Sequence, residues 1–172
     1  MLIVVSGPPC SGKSRLASRL GRRLGWPVVC KDDFKELLFD SLGAGDADWS
    51  ARLSRAAFDI QFRVAEKLLE AGLSVLLEGN FRAEAHGERI AGLAAGRVRL
   101  LQVACRADPD ALAARRSARA RDGRRHPGHL DALPGADPGT YGPLSIDPTF
   151  DHDSTGEPDA AFAALLQRLG VG

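Results

Sequence analysis

The stretch "VSGPPCSGKS", Val5 to Ser14, decides how this chain is read. Gly7-Pro8-Pro9-Cys10-Ser11-Gly12-Lys13-Ser14 fits the pattern G-x-x-x-x-G-K-[ST]. Leu2–Ser6 precedes it, a continuous apolar run with β-branched residues, as in a buried parallel strand. Beyond it, Leu16, Leu20 and Leu24 recur at four-residue spacing and predict a helix over Lys13–Leu24. Strand, glycine-rich turn and helix in that order form a phosphate-binding loop. Its successive backbone N–H groups make an anion nest, and the helix N-terminus adds positive potential. Gly7 and Gly12 permit conformations that a Cβ would hinder. Lys13 supplies a charge for the β- and γ-phosphates, and the Ser14 hydroxyl suits Mg²⁺. The expected ligands are ATP and Mg²⁺, held by Gly7, Pro8, Pro9, Cys10, Ser11, Gly12, Lys13 and Ser14.

The rest of the chain alternates between two patterns. Pro27–Lys31, Ser74–Leu77, Arg97–Cys105 and Thr149–Asp153 are predicted strands. Phe34–Asp40, Ser50–Ala71, Arg82–Ala95, Pro109–Arg121 and Asp159–Leu169 are predicted helices. In Ser50–Ala71 the expected buried stripe is Leu53, Ala57, Ile60, Val64 and Leu68, and Gly72 stops the helix. Alternation of this kind predicts an α/β fold, a parallel sheet covered by helices on both faces. Ligands of such sheets sit at the carboxyl ends of the strands. The phosphate loop, "KDDF" and "EGN" follow the first three strands in turn.

At 172 residues, the chain fits one domain over 1–172. Hydrophobic residues are 44% and charged residues 26%, and a net charge of +1 excludes a global basic field for nucleic acid or acidic membrane. Cys10, Cys30 and Cys105 form no Cys-x-x-Cys pair, which argues against zinc and a disulfide framework. Cys10 lies near a helix N-terminus, a setting that lowers a thiol pKa and favours oxidation. The N-terminal apolar run lacks a basic leader and is too short to span a bilayer, so a cytoplasmic location without membrane contact is expected.

Lys31-Asp32-Asp33-Phe34-Lys35 lies just past the second predicted strand. A carboxylate there can orient an acceptor hydroxyl and take its proton. Either aspartate could instead cap the following helix. Lys35, three residues past Asp32, could point into the same pocket or lie on the surface. Glu78, at the end of the third strand, can reach a metal ion or its water. Asn80 and Arg82 follow where an acceptor would lie. Arg115, Arg116, Arg119, Arg121, Arg124 and Arg125 crowd into the segment after the fourth strand. Arg115 and Arg119, four apart, share one helix face. A Gly/Pro-rich stretch follows, so 108–142 has the makings of a lid that lowers arginines onto phosphates and excludes water. A solvated charged face is the plainer reading. His126 and His129 in "HPGH" suit loop structure or substrate contact better than a metal.

Together, Gly7–Ser14, "KDDFK", "LLEGN" and the arginine lid resemble the P-loop kinases. The likeness is to the AAA-type branch with polynucleotide 5′-hydroxyl kinases, zeta-toxin-like kinases and small-molecule kinases for gluconate or chloramphenicol. It spans nearly the whole chain. The resemblance implies a three-layer sandwich with a five-stranded parallel sheet in the order 2-3-1-4-5 and a lid after strand four. It also implies Asp32 as general base, Lys35 at an acceptor phosphate, and Arg115 and Arg119 as lid arginines. Lys13, Asp32, Arg115 and Arg119 are thus the expected catalytic set. Asp33, Lys35, Asn80 and Arg82 are expected at the substrate, and Ser14 and Glu78 at the metal. Glu78 replaces the more usual Asp of the family, and Pro8-Pro9 stiffens the loop. The implied activity is transfer of the γ-phosphoryl group of ATP to a small-molecule hydroxyl. A nucleic-acid 5′ end is the alternative acceptor, and a non-catalytic ATP-binding regulator the alternative class.

Overall fold

The computed structural model describes residues 1–122, 126–129, 138–155 and 158–171. Five strands, β1 (Leu2–Ser6), β2 (Val28–Cys30), β3 (Val75–Gly79), β4 (Leu100–Arg106) and β5 (Thr149–Asp153), form one sheet in the order β2-β3-β1-β4-β5. Every pairing is parallel. This is the order that the resemblance implies. The helices are α1 (Lys13–Leu24), α2 (Lys31–Leu42), α3 (Ala47–Glu70), α4 (Ala83–Ala94), α5 (Pro109–Arg121) and α6 (Pro158–Leu169), with a 3₁₀ turn at Pro138–Tyr141.

Side chains of a strand alternate between faces, so β1 feeds two cores. Leu2 and Val4 pack with Phe62, Ala65 and Leu69 of α3 and Ile90 of α4. Ile3 and Val5 pack with Leu16, Ala17 and Leu20 of α1 and Phe162 and Leu165 of α6. Burial on both faces is why the strands read as unbroken apolar runs. No helix among the described residues is long and apolar enough to cross a membrane.

Several boundaries differ from the sequence reading, and three starts differ most. Helix α2 begins at Lys31, directly after β2, so Asp32 and Asp33 occupy its first turn. The capping position is Cys30, whose side chain makes no cap hydrogen bond. Helix α3 starts earlier than expected, at Ala47, because the Asp46 carboxylate accepts the Trp49 N–H at 2.8 Å. Strand β4 starts later, at Leu100. The buried row of α3 is also rotated by one position. Leu53, Ala57, Gln61, Ala65 and Leu69 are buried, whereas Ile60 is 37% exposed. A polar side chain interrupts this row, which hid it from a search for apolar periodicity.

Register brings the chemistry together. Ser6 lies opposite both Gly79 and Ala104, and Cys30 opposite Glu78. The segments leaving β1, β2, β3 and β4 therefore emerge at one edge of the sheet.

Candidate active site

The phosphate loop turns tightly between β1 and α1. The Ser11 N–H donates to the Pro8 carbonyl at 3.2 Å. Gly7 has φ of 149°, and a Cβ there would stand 2.4 Å from the Cys105 carbonyl oxygen. Gly12, with φ of 82°, caps α1 in the left-handed region. Cys10 also takes a positive φ, 68°. The Ser11 hydroxyl is buried in the loop without a hydrogen-bond partner among the described residues. Lys13 is buried, with Nζ 3.5 Å from the Pro8 carbonyl and 4.0 Å from Glu78 Oε1.

Glu78 links three elements. Its Oε1 accepts from the Ser14 hydroxyl at 3.2 Å, and its Oε2 accepts from the Cys30 thiol at 2.8 Å. Burial raises the Glu78 carboxyl above the usual range, opposed by Lys13 and by the hydrogen bonds from Cys30 and Ser14. Burial, and then the neighbouring Glu78 carboxylate, push the Cys30 thiol up strongly, and burial pushes Cys105 up to about 12. Both are inert thiols in this setting.

Behind Glu78 stands Gln61, a residue with no sequence signal for function. From the fully buried core it donates through Nε2 to the Val29 carbonyl at 2.8 Å and the Glu78 carbonyl at 2.7 Å. It fastens α3 to the ends of β2 and β3. Gln102 plays a similar part across β1: its Nε2 donates to Ser6 Oγ at 2.9 Å and its Oε1 accepts from Leu144 N–H at 3.2 Å. A glutamine in the apolar run "LLQVAC" was the available clue.

Asp32 faces a cleft of about 290 Å³ that is also lined by Pro9, Lys13, Lys35, Asn80, Arg119 and His129. Burial raises its carboxyl, but Lys31, His129 and Lys13 outweigh burial and hold it below the ordinary value. Lys31 is buried, with Nζ 3.1 Å from Asp32 Oδ1 and 5.6 Å from the centre of the Phe58 ring. Lys35 is buried in the same cleft and donates to Ser50 Oγ at 2.9 Å. Asp33 is exposed, lies outside this cleft, and has its carboxyl raised chiefly by partial burial, with Glu36 and Asp32 adding. Arg82, at the cap of α4, lines the adjoining cavity, which Asn80 shares.

The two arginines of α5 have different surroundings. Arg115 donates to Ser154 Oγ at 2.9 Å, to the Ser154 carbonyl at 2.8 Å and to the Cys10 carbonyl at 3.4 Å. It stands beside a second cavity, of about 220 Å³, with Arg15, Arg19, His152 and Phe162. There the Arg19 guanidinium lies 3.9 Å from the centre of the Phe162 ring and pairs with Asp159 at 2.7 Å. Arg119 reaches the Asp32 cleft, and also lines a cavity with Lys13, Ser14 and Arg115. Arg124 and Arg125 lie outside the described residues.

The "HPGH" segment docks on α2. His126 Nε2 lies 2.9 Å from Asp40 Oδ1, and His129 Nε2 lies 2.7 Å from Glu36 Oε1. Asp40 and Glu36 are one helical turn apart, so two histidines meet two carboxylates on one face.

A family model described as an AAA domain matches residues 2–133. The chain belongs to this AAA-domain family. A protein of Chloroflexus aurantiacus provisionally described as a kinase is 31% identical, with 96% of each chain covered and a TM-score of 0.83. A sugar kinase of Janibacter sp. is 15% identical over 99% of this chain and 95% of its own, with a TM-score of 0.67. The APS kinase of Mycobacterium tuberculosis, solved with AMPPNP and APS, is 19% identical over 98% of this chain and 96% of its own, with a TM-score of 0.66. The last two share the P-loop kinase fold with this AAA-domain chain. Among curated proteins, none matches the sequence.

Proposed function

We propose that this protein transfers the γ-phosphoryl group of ATP to a hydroxyl of a small molecule. One observation carries the reading: a carboxylate held in its charged form, Asp32, faces the same cleft as Lys13 of the phosphate loop and Arg119 of α5. The acceptor hydroxyl lies against Asp32 and attacks the γ-phosphorus. The bond from that phosphorus to the β-phosphate oxygen breaks, ADP leaves, and Asp32 takes the hydroxyl proton. Lys13 and Arg119 offset charge on the transferred group. The residues present fit magnesium, since an exposed Ser14 hydroxyl beside Glu78 suits an ion that keeps water and substrate phosphates among its ligands. When bound, it would neutralise the β- and γ-phosphate oxygens. The base of ATP lies in the cavity beside Arg115, Arg19 and Phe162, where planar cationic and aromatic groups offer stacking surfaces. Segment 108–142, of which 123–125 and 130–137 lie outside the described residues, serves as the lid, with Arg115 holding its base to Cys10 and Ser154.

The test is Asp32→Asn. It keeps affinity for an ATP analogue and loses acceptor-dependent ADP formation by about 100-fold or more. Transfer at the wild-type rate overturns the role of Asp32. ADP formation that no hydroxyl compound accelerates favours a non-catalytic ATP-binding regulator. Steeply salt-dependent binding and phosphorylation of a 5′-hydroxyl oligonucleotide would assign the nucleic-acid acceptor instead.

A further inference from the structure

Through Lys31, Ala51, Ser54 and Asn80 the Asp32 cleft continues into a larger cavity of about 560 Å³. Three elements converge on it beyond those shared residues: α3 with Arg55 and Phe58, α4 and its capping residue with Arg82, His86 and Arg89, and the 3₁₀ turn with Tyr141. Its charge is lopsided. Lys31 is matched by Asp32, and Arg89 by Asp59. Arg55 and Arg82 are exposed to the cavity and have no ion-pair partner among the described residues. His86 adds no positive charge near neutral pH, because burial lowers its pKa. Two unmatched guanidinium groups thus share a concave wall with an aromatic floor, in which Phe58 and His86 lie 4.2 Å apart between ring centres.

A neutral polyol would leave both guanidinium groups without a counter-charge, whereas a carboxylate or phosphate group matches their planar forks. We propose that this cavity holds an anionic group of the acceptor, remote from the hydroxyl at Asp32. The preferred acceptor is therefore a hydroxylated small molecule carrying a phosphate or a carboxylate. This rests on the phosphotransferase reading above. It adds a determinant of specificity, Arg55 with Arg82, distinct from Lys35.

The test titrates matched compounds into the protein saturated with a non-hydrolysable ATP analogue, and measures transfer from labelled ATP to the same compounds. The panel is glucose, gluconate, glucose 6-phosphate, glycerol, glycerol 3-phosphate and a 5′-hydroxyl oligonucleotide. At least one charged small molecule binds about tenfold or more tightly than its neutral parent, and Arg55→Gln and Arg82→Gln each remove most of that preference. Affinity for the ATP analogue stays unchanged in both variants, and their unaltered melting temperatures show that they fold. The carboxylated and phosphorylated members separate the two anion types. Equal affinity for charged and neutral members overturns the inference. So does a preference that survives both substitutions, failure of every charged small molecule to bind, or tight binding of the oligonucleotide alone. Charge-selective binding without any transfer keeps the anion cavity and overturns the kinase reading. Transfer to neutral members, insensitive to either arginine, keeps the kinase reading and overturns this one.

Discussion

The Ser14 hydroxyl donates to Glu78 Oε1 across 3.2 Å, joining the first turn of α1 to the end of β3. The acceptor of that bond is a carboxylate whose pKa burial has raised. A raised carboxyl contributes stability below its unfolded pKa and loses that contribution as pH rises through its folded value. Glu78→Gln removes the buried charge. The melting temperature of the variant relative to wild type therefore rises between pH 4 and pH 8, when both are measured without nucleotide or metal. A difference that stays flat with pH would contradict the burial argument. The same variant needs more Mg²⁺ for half-maximal transfer, and loses rate by about 10- to 100-fold.

Lys31 provides the second prediction. Its charge is the strongest influence opposing the effect of burial on Asp32. Lys31→Met raises the Asp32 carboxyl, so the acid limb of kcat/KM moves to higher pH. A pH–rate profile from pH 4 to 8 measures the shift. An unmoved acid limb, in a variant that still binds ATP, would mean that Asp32 is not the titrating group.

Gln61 yields a prediction on stability. Gln61→Leu removes two hydrogen bonds to buried strand carbonyls while keeping side-chain volume. The expected loss is about 1–3 kcal/mol in urea unfolding. Because one of those carbonyls belongs to Glu78, the variant also loses affinity for Mg²⁺ with ATP. Wild-type stability would show that the Gln61 amide contributes nothing net.

The two histidine–carboxylate contacts make a fourth. Glu36→Gln with Asp40→Asn removes both carboxylates that receive His129 and His126. Trypsin then cleaves after Arg121 faster than in wild type, at matched global stability. Equal cleavage rates would show that other contacts hold the segment on α2.

Much of the fold was legible because its signals are local. The glycine spacing at Gly7 and Gly12, the apolar run Leu2–Ser6 and the strand Thr149–Asp153 each carry their meaning within a few residues. The resemblance to the P-loop kinases, which also rests on KDDFK, LLEGN and the arginine helix, then implied one sheet order. What escaped was the pairing of distant residues: Gln102 with Ser6, Gln61 with Glu78, His129 with Glu36. Each depends on a side chain reaching another element, and periodicity carries no record of partners. Gln61 sat on a buried stripe where a search for hydrophobic residues skips it, so Ile60 took its place in the reading although it is 37% exposed. The arginine helix showed charge density, but not that Arg115 would hold Ser154 and Cys10 while Arg119 reaches the Asp32 cleft.

The sheet order has one more consequence. Central β1 divides the molecule into flanks. Strand β3 and the segments following β2 and β3 carry Glu78, Asp32, Asn80 and Arg82, whereas the segments following β4 and β5 carry Arg115, Ser154 and Phe162. In the proposed reading, donor recognition lies on the β4–β5 flank and most of acceptor recognition on the β2–β3 flank; they meet at the loop between Gly7 and Ser14, where Arg119 crosses from α5 into the Asp32 cleft. Such a division makes the protein modular: a lineage could retune what it phosphorylates by drifting in one flank while inheriting its nucleotide grip intact from the other.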